Sequence, residues 1–301
     1  MSSRLIVSSA LSLYAWINGV SDILGSKVLL VCGKDGLRLQ QTDHSQICLV
    51  DAHHVATLEG EGFNVCVDTK RLLTILRQAT SDDVAKLCPK DEKIFEVQLH
   101  SPTRQATLDV GTRPLIKAMV MADLPKPTFE LAIPVGVFKK FLVLTRPAGK
   151  LMGIAIAKEK KGDRRSPVYV VLFSEECRSL WRVKGETDKE NEADEAEAGD
   201  KVIDVDPSSL LGFFRQVYHL GVVKTIFKGL APEQRVVVKL HPEQPLQIIL
   251  PAVGGRRTRF VVAAVIQQTE TTAPQPPGSS PSEPGTDEDL PDLISTEDAT
   301  K

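Results

Sequence analysis

Few residues in this chain are spaced for covalent chemistry. His53 and His54 adjoin on a strand-like run. Neighbouring strand residues point to opposite faces, so the pair is a poor joint metal ligand. Cys32, Cys48, Cys66, Cys88 and Cys177 form no CxxC pair, and four fall in apolar strand-like runs. That is the setting of reduced, buried thiols acting as small hydrophobes, not of a zinc site. No glycine-rich phosphate loop, G-x-S-x-G or H-E-x-x-H is present. Carboxylates are plentiful, yet none belongs to a recognisable constellation. The expectation is a chain with no catalytic residue, no metal, no cofactor and no enzymatic activity.

Positive charge is what the sequence does concentrate. The net charge is only −2, but residues 185–200 and 267–301 each carry eight acids and one lysine, −7 apiece, which leaves +12 on the remainder. A basic body with acidic appendages suits a polyanion partner. Residues 69–79 read as a short helix with Lys70, Arg71 and Arg77 on its outer side, and 136–146 as another with Lys139, Lys140 and Arg146. A third predicted helix, 206–219, carries Arg215, and Lys150 follows the second. Short helices with one apolar and one basic face can meet phosphate without reading bases. These eight residues are the candidate contacts to a phosphate backbone. The first predicted helix, 8–24, has no Lys or Arg and contributes no positive charge.

The elements that must position them are mostly strands. Strand-like runs cover 4–7, 27–32, 36–41, 46–55, 62–67, 84–89, 93–100 and 105–110, with Lys34-Asp35-Gly36 marking a turn. A second series covers 129–134, 151–157, 168–173, 178–183, 201–205, 223–228, 235–240, 246–250 and 259–266. Many strands with a few short helices, not in βαβ alternation, argue for an antiparallel α+β fold. Between the series, 111–128 holds Pro114, Pro125 and Pro127 around an apolar stretch and reads as a linker. The expected organisation is a first domain over 1–110, the linker at 111–128, a second domain over 129–266 and an acidic tail over 267–301. The acidic insert at 185–200 and the tail are expected to be disordered. No apolar run approaches the roughly 20 residues that span a bilayer, and the start lacks a signal-peptide core. A soluble intracellular protein with no membrane partner is expected.

An internal repeat supports duplication. Val67-Asp68, Leu72-Leu73 and Arg77-Gln78 recur at the same spacing as Val205-Asp206, Leu210-Leu211 and Arg215-Gln216. Both copies are expected to follow a strand and open a helix, and such a repeat bears on the whole architecture. Two smaller features stand apart. The run from Lys158 to Arg165 reads as a hairpin tip or an import signal. In the tail, Ser280, Thr286 and Ser295 each have an acid three residues on, as an acidophilic kinase prefers.

Duplicated halves, each with two helices on antiparallel strands and joined by a proline-flanked linker, resemble the sliding-clamp superfamily of proliferating cell nuclear antigen (PCNA). The stretches that carry the resemblance are Lys34-Asp35-Gly36-Leu37-Arg38-Leu39, Phe213-Phe214 in the expected second-half helix, and the closing strands at 245–250 and 259–264. The middle is most similar to the Hus-type subunit of the heterotrimeric checkpoint clamp, through Pro114-Leu115-Ile116-Lys117 and Leu131-Ala132-Ile133-Pro134-Val135 leading into Phe138-Lys139-Lys140. The acidic insert and long tail depart from a compact replicative clamp.

The resemblance implies a nuclear subunit of a three-chain ring around double-stranded DNA, held without regard to sequence and placed there by a clamp loader. The other two subunits would join edge to edge near 104–110 and 178–183. Polymerase or repair proteins would dock in a groove beside the linker. Its candidate residues are Leu115, Ile116, Met119, Met121 and Leu124 with Val262, Ala263 and Ala264. A checkpoint role in the DNA damage response is the leading expectation. The alternatives are a PCNA-type homotrimeric processivity factor and a monomeric or dimeric viral-style factor.

Overall fold

Alternation of apolar and polar residues builds the strands, and 3.6-residue spacing builds the four helices found among the described residues. A computed structural model describes residues 3–116, 124–145, 150–158, 168–174, 178–183, 211–241 and 244–265. The described part of the first half runs β1 (Arg4–Val7), α1 (Ala10–Leu24), β2 (Lys27–Gly33), β3 (Gly36–Thr42), β4 (Cys48–His54), β5 (Thr57–Glu59), β6 (Phe63–Asp68), α2 (Thr69–Leu76), β7 (Val84–Pro89), β8 (Ile94–Ser101) and β9 (Arg104–Arg113). The second runs β10 (Phe129–Pro134), α3 (Val135–Leu144), β11 (Leu151–Lys158), β12 (Val168–Phe173), β13 (Arg178–Val183), β14 (Leu211–His219), α4 (Leu220–Lys228), β15 (Arg235–Leu240), β16 (Leu246–Ile249) and β17 (Arg256–Val262). Every strand pairing among the described residues is antiparallel, as the absence of βαβ alternation required. Among the described residues no helix is long and apolar enough to cross a membrane.

The two halves repeat each other element for element, apart from β5. In both, a strand ends directly at a helix: β6 into α2 through the N-cap Asp68, and β14 into α4 through the N-cap His219. Buried Thr69, Leu72, Ile75 and Leu76 of α2 fall at the same helical positions as Leu220, Val223, Ile226 and Phe227 of α4. The hydroxyls of Thr74 and Thr225 donate to the carbonyls of Lys70 and Gly221, each one turn back. Likewise Leu13, Trp16 and Ile17 of α1 match Phe138, Phe141 and Leu142 of α3, all buried.

This placement corrects the second copy of the sequence repeat. Leu211, Arg215 and Gln216 lie in β14, and Phe213-Phe214 with them, so no helix opens there. Residues 223–228, expected as a strand, are helical in α4. The physical reason lies in pairing: Leu210, Phe213, Phe214, Val217 and Tyr218 keep a helical period in the sequence, but residues 211–219 pair along β11 as β14, and the helix is formed by the stripe of Leu220, Val223, Ile226 and Phe227 that follows. The 201–205 strand expectation and the start of the predicted 206–219 helix fall outside the described residues. The first-domain boundary expected at 110 cuts through β9, which continues to Arg113.

Thirteen strands form one sheet, in the order β10-β15-β16-β17-β4-β3-β2-β6-β9-β8-β7-β1-β5, and β13-β12-β11-β14 form a second. The halves join where β17 pairs with β4, from Arg256 opposite His54 to Val262 opposite Cys48. On β4, Cys48, Val50, Ala52 and His54 face inward and are buried. Burial pushes the thiols of Cys32 and Cys48 up to about 12, so both stay protonated and unreactive. The β2–β3 turn needs Gly36, whose φ is 117°: a Cβ there would press on the carbonyl oxygen of His54 at 2.5 Å.

Candidate nucleic-acid interface

The four helices pack side by side in the order α2-α1-α4-α3. Their buried stripes turn toward the sheets, so their polar residues share the opposite side. On α2 that side carries exposed Lys70, Arg71 and, at the C-cap, Arg77. On α3 it carries exposed Lys140 and half-buried Lys139, and on α4 exposed Lys224 and Lys228. Neither α2, α3 nor α4 contains an acid. The helices hold one carboxylate, Asp22 of α1, and it accepts a hydrogen bond from Nζ of Lys228 at 3.0 Å.

Local sequence sets each helix. Asp68 caps α2 by accepting from the backbone N–H of Arg71 at 3.0 Å, and its second oxygen is 3.5 Å from Arg113. That backbone bond, with the nearby guanidinium, holds its carboxyl below the usual range. Ser9 caps α1 through the N–H of Ser12. Between α3 and α4, the rings of Phe138 and Phe227 stack at 4.3 Å with an interplanar angle of 14°. The basic residues therefore stand on one helix with a capped end, α2, and on two held together by buried rings, α3 and α4.

Lys70, Arg71, Arg77, Lys139 and Lys140 thus lie on the helix layer, as sequence reasoning expected. Lys150 is exposed just before β11, and its carbonyl accepts from Leu220 at the start of α4. Arg215 does not belong to the layer: it is on β14, with its guanidinium 4.8 Å above the Phe173 ring. Arg146 lies outside the described residues. Lys224 and Lys228 were missed because 223–228 reads as a strand. The period of Leu220, Val223, Ile226 and Phe227 was the signal that could have found them.

The expected partner groove is only partly placed. Leu115 and Ile116 are exposed, Leu124 is half-buried, and Met119 and Met121 lie outside the described residues. After β17 the chain stays close to the body: Ala263 N–H donates to the carbonyl of Ile47, and Val265 N–H to that of Val217. Ala263 is exposed and Ala264 half-buried. Val262 is fully buried, so it belongs to the core and not to a groove surface. As a β17 residue opposite Cys48, its inward side is fixed by strand alternation.

Solved structures share this layout. PCNA from Thermococcus kodakaraensis matches with a TM-score of 0.66 at 14% identity, covering 88% of this chain and 100% of that one. The chain has the PCNA sliding-clamp fold. A. fulgidus PCNA, bound to the C-terminal region of FEN-1, matches with a TM-score of 0.63 at 16% identity, over 89% of this chain and 99% of that one. The PCNA2–PCNA3 complex of Sulfolobus tokodaii matches with a TM-score of 0.59 at 16% identity, over 87% of this chain and 98% of the neighbour's. No family model and no curated protein matches. At these identities the likeness is one of fold, and the clamp fold accounts for the repeat, the helix layer and the strand edges together.

Proposed function

We propose that this chain is a DNA sliding-clamp subunit: a non-enzymatic part of a ring that encircles duplex DNA and tethers other proteins to it. The observation that carries this reading is the helix layer, where Lys70, Arg71, Arg77, Lys139, Lys140, Lys224 and Lys228 stand against the single acid Asp22. Cations on rigid helices with no base-reading loop suit backbone contact of any sequence. The two halves act as tandem domains, joined by the segment that follows β9.

Assembly follows from the strand edges. β17 pairs with β4 inside the chain. Their counterparts in the other half are β9 and β13. Along 104–110, β9 pairs only with β8, and β13 pairs only with β12 among the described residues. Two unpaired edges related to an existing seam are templates for the same pairing between chains. Three chains joined in this way close a ring, which a loader opens onto nuclear DNA. Polymerase or repair proteins dock at Leu115, Ile116 and the segment after β17. The Hus-like middle favours a checkpoint subunit over a replicative one.

Charge reversal tests the DNA face. Lys70→Glu with Lys224→Glu is expected to weaken binding equally across DNA sequences and to flatten the dependence of binding on salt. Unchanged affinity and salt slope would remove the helix layer as the DNA face.

A further inference from the structure

His54 points from β4 toward the helices, where its ring meets the hydroxyl of Ser12 on α1 at 2.9 Å. Strand alternation therefore turns His53 and Asp51 to the opposite face of the sheet, away from the helix layer. Register sets their neighbours. His53 lies between Arg38 of β3 and Arg257 of β17, and Asp51 lies between Gln40 and Arg259. Three arginines and a histidine thus gather around one carboxylate, on a face that the proposed DNA contacts do not use.

The carboxylate is already engaged. One oxygen of Asp51 accepts from Arg259 at 2.7 Å and the other from Arg38 at 3.3 Å. Its side chain is 17% exposed, against 53% for Arg38. Asp51 therefore braces two guanidiniums from below and leaves N–H groups of Arg38 open to solvent. Arg257 is exposed, and its guanidinium has no partner among the described residues. Nε2 of His53 is 2.7 Å from the carbonyl oxygen of Asp35. A carbonyl only accepts, so Nε2 carries the hydrogen, and Nδ1 is left to meet a ligand, as a donor once the ring is protonated.

Spacing suits a single anion. Neighbouring strands lie about 4.8 Å apart, so Arg38 and Arg257 stand roughly 10 Å apart across His53. Two long side chains at that separation can converge on one group held above the imidazole. Their planar forks match the oxygens of a phosphate monoester.

Apolar surface adjoins this row. Val55, just past the end of β4, is 57% exposed, and Val253 in the β16–β17 turn is 50% exposed. The turn is held against Val55, whose N–H donates to the carbonyl of Gly255 at 3.2 Å. A Cβ on Gly255 would come within 2.9 Å of Val55 Cγ2. Nε of Arg256 donates to the carbonyl of Val253 at 3.0 Å. Both valines are thus presented on backbone that is tied in place. An extended peptide sets residues two apart on one face at about 7 Å, enough to reach from the row to the valines.

Beyond the clamp reading, and without depending on it, we propose that this outer corner of β3, β4 and β17 docks a phosphorylated segment of a partner protein. A phosphoserine or phosphothreonine sits over His53 between Arg38 and Arg257. An apolar side chain two residues away covers Val55 and Val253. A nucleic-acid backbone fits less well, because its next phosphates would fall over Asp51 or the valines, where charge is balanced or absent.

Fluorescence anisotropy of the full chain tests this with a short labelled peptide carrying one phosphoserine and a leucine two positions to either side. The unphosphorylated peptide should bind at least roughly tenfold more weakly, as should the phosphopeptide to Arg38→Ser with Arg257→Ser. Arg257→Ser alone breaks no ion pair, so it carries the test if the double variant has a lower melting temperature. Val55→Ser with Val253→Ser should weaken binding by a smaller factor. Lys70→Glu with Lys224→Glu, on the other face, should leave phosphopeptide affinity unchanged. Equal binding of the two peptides, or equal loss in the helix-layer variant, would overturn the proposal while leaving the clamp reading intact. So would a loss of duplex DNA affinity in Arg257→Ser that matched its loss of phosphopeptide, since the corner would then serve DNA.

Discussion

Lys228 of α4 and Asp22 of α1 are 206 residues apart in sequence and 3.0 Å apart in space. Their contact draws a helix of the second half against one of the first. It also uses the only carboxylate in the helix layer. Both side chains are largely exposed, so the pair adds at most about 1 kcal/mol to stability. Asp22→Ala is expected to lower stability by less than that, by urea unfolding, while raising affinity for DNA because Lys228 is released. A loss of DNA affinity would contradict the assignment of Lys228 to the phosphate face.

The stack of Phe138 on Phe227 is a different kind of tie. Both rings are fully buried, so Phe227→Ala leaves a cavity between α3 and α4. A loss of about 3–5 kcal/mol is expected. Phe227→Leu should recover much of it, because the leucine refills part of the volume. Chemical denaturation of both variants checks the order.

His54 makes stability depend on pH. Its Nδ1–H donates to the carbonyl of Val55 at 2.8 Å, so Nε2 accepts from the hydroxyl of Ser12 at 2.9 Å. Trp16 packs edge-on at 5.6 Å. Burial lowers its pKa, with the positive charge of Arg256 adding to the effect. The folded state thus binds the proton less readily than the unfolded state. The neutral-histidine contribution is complete above the unfolded value of roughly 6.5 and is lost as pH falls below it. Unfolding free energy measured across this range should fall toward acid less steeply in His54→Gln than in the wild type. Equal slopes would place the acid sensitivity elsewhere.

Asp68 caps α2, the helix that carries Lys70, Arg71 and Arg77 of the proposed phosphate face. Asp68→Ala should cost about 1 kcal/mol, and Asp68→Asn much less, since the amide oxygen still accepts from Arg71. Its carboxyl sits below the usual range in the fold, so its contribution is present above the unfolded carboxylate value and fades as pH falls through the folded one. Calorimetry of the two variants at neutral pH distinguishes them.

Much of this was legible in residue patterns. Lys70, Arg71, Lys139 and Lys140 could be placed because α2 and α3 announce themselves: Asp68 can cap, and Phe138, Phe141 and Leu142 keep helical period. The Gly36 turn was legible because only glycine tolerates its backbone. The second half was misread because Leu210, Phe213, Phe214, Val217 and Tyr218 keep a helical period while residues 211–219 are held as a strand by pairing with β11. Val205-Asp206 imitates Val67-Asp68, but the true counterpart of Asp68 is His219, which caps without a side-chain hydrogen bond and leaves no sequence mark. Val262 was misjudged because an alternating strand does not reveal which side is inward until its neighbour, here β4, is known.

Topology of binding tests the central claim most directly. The chain, supplied in an extract of its source cells with ATP so that partners and loader come with it, is bound to nicked circular DNA and washed in high salt. Retention on the circle, with release when the circle is cut once, is the result expected of a ring. Equal loss from circular and linear DNA would show that the chain grips DNA without encircling it, and the sliding-clamp account would fail.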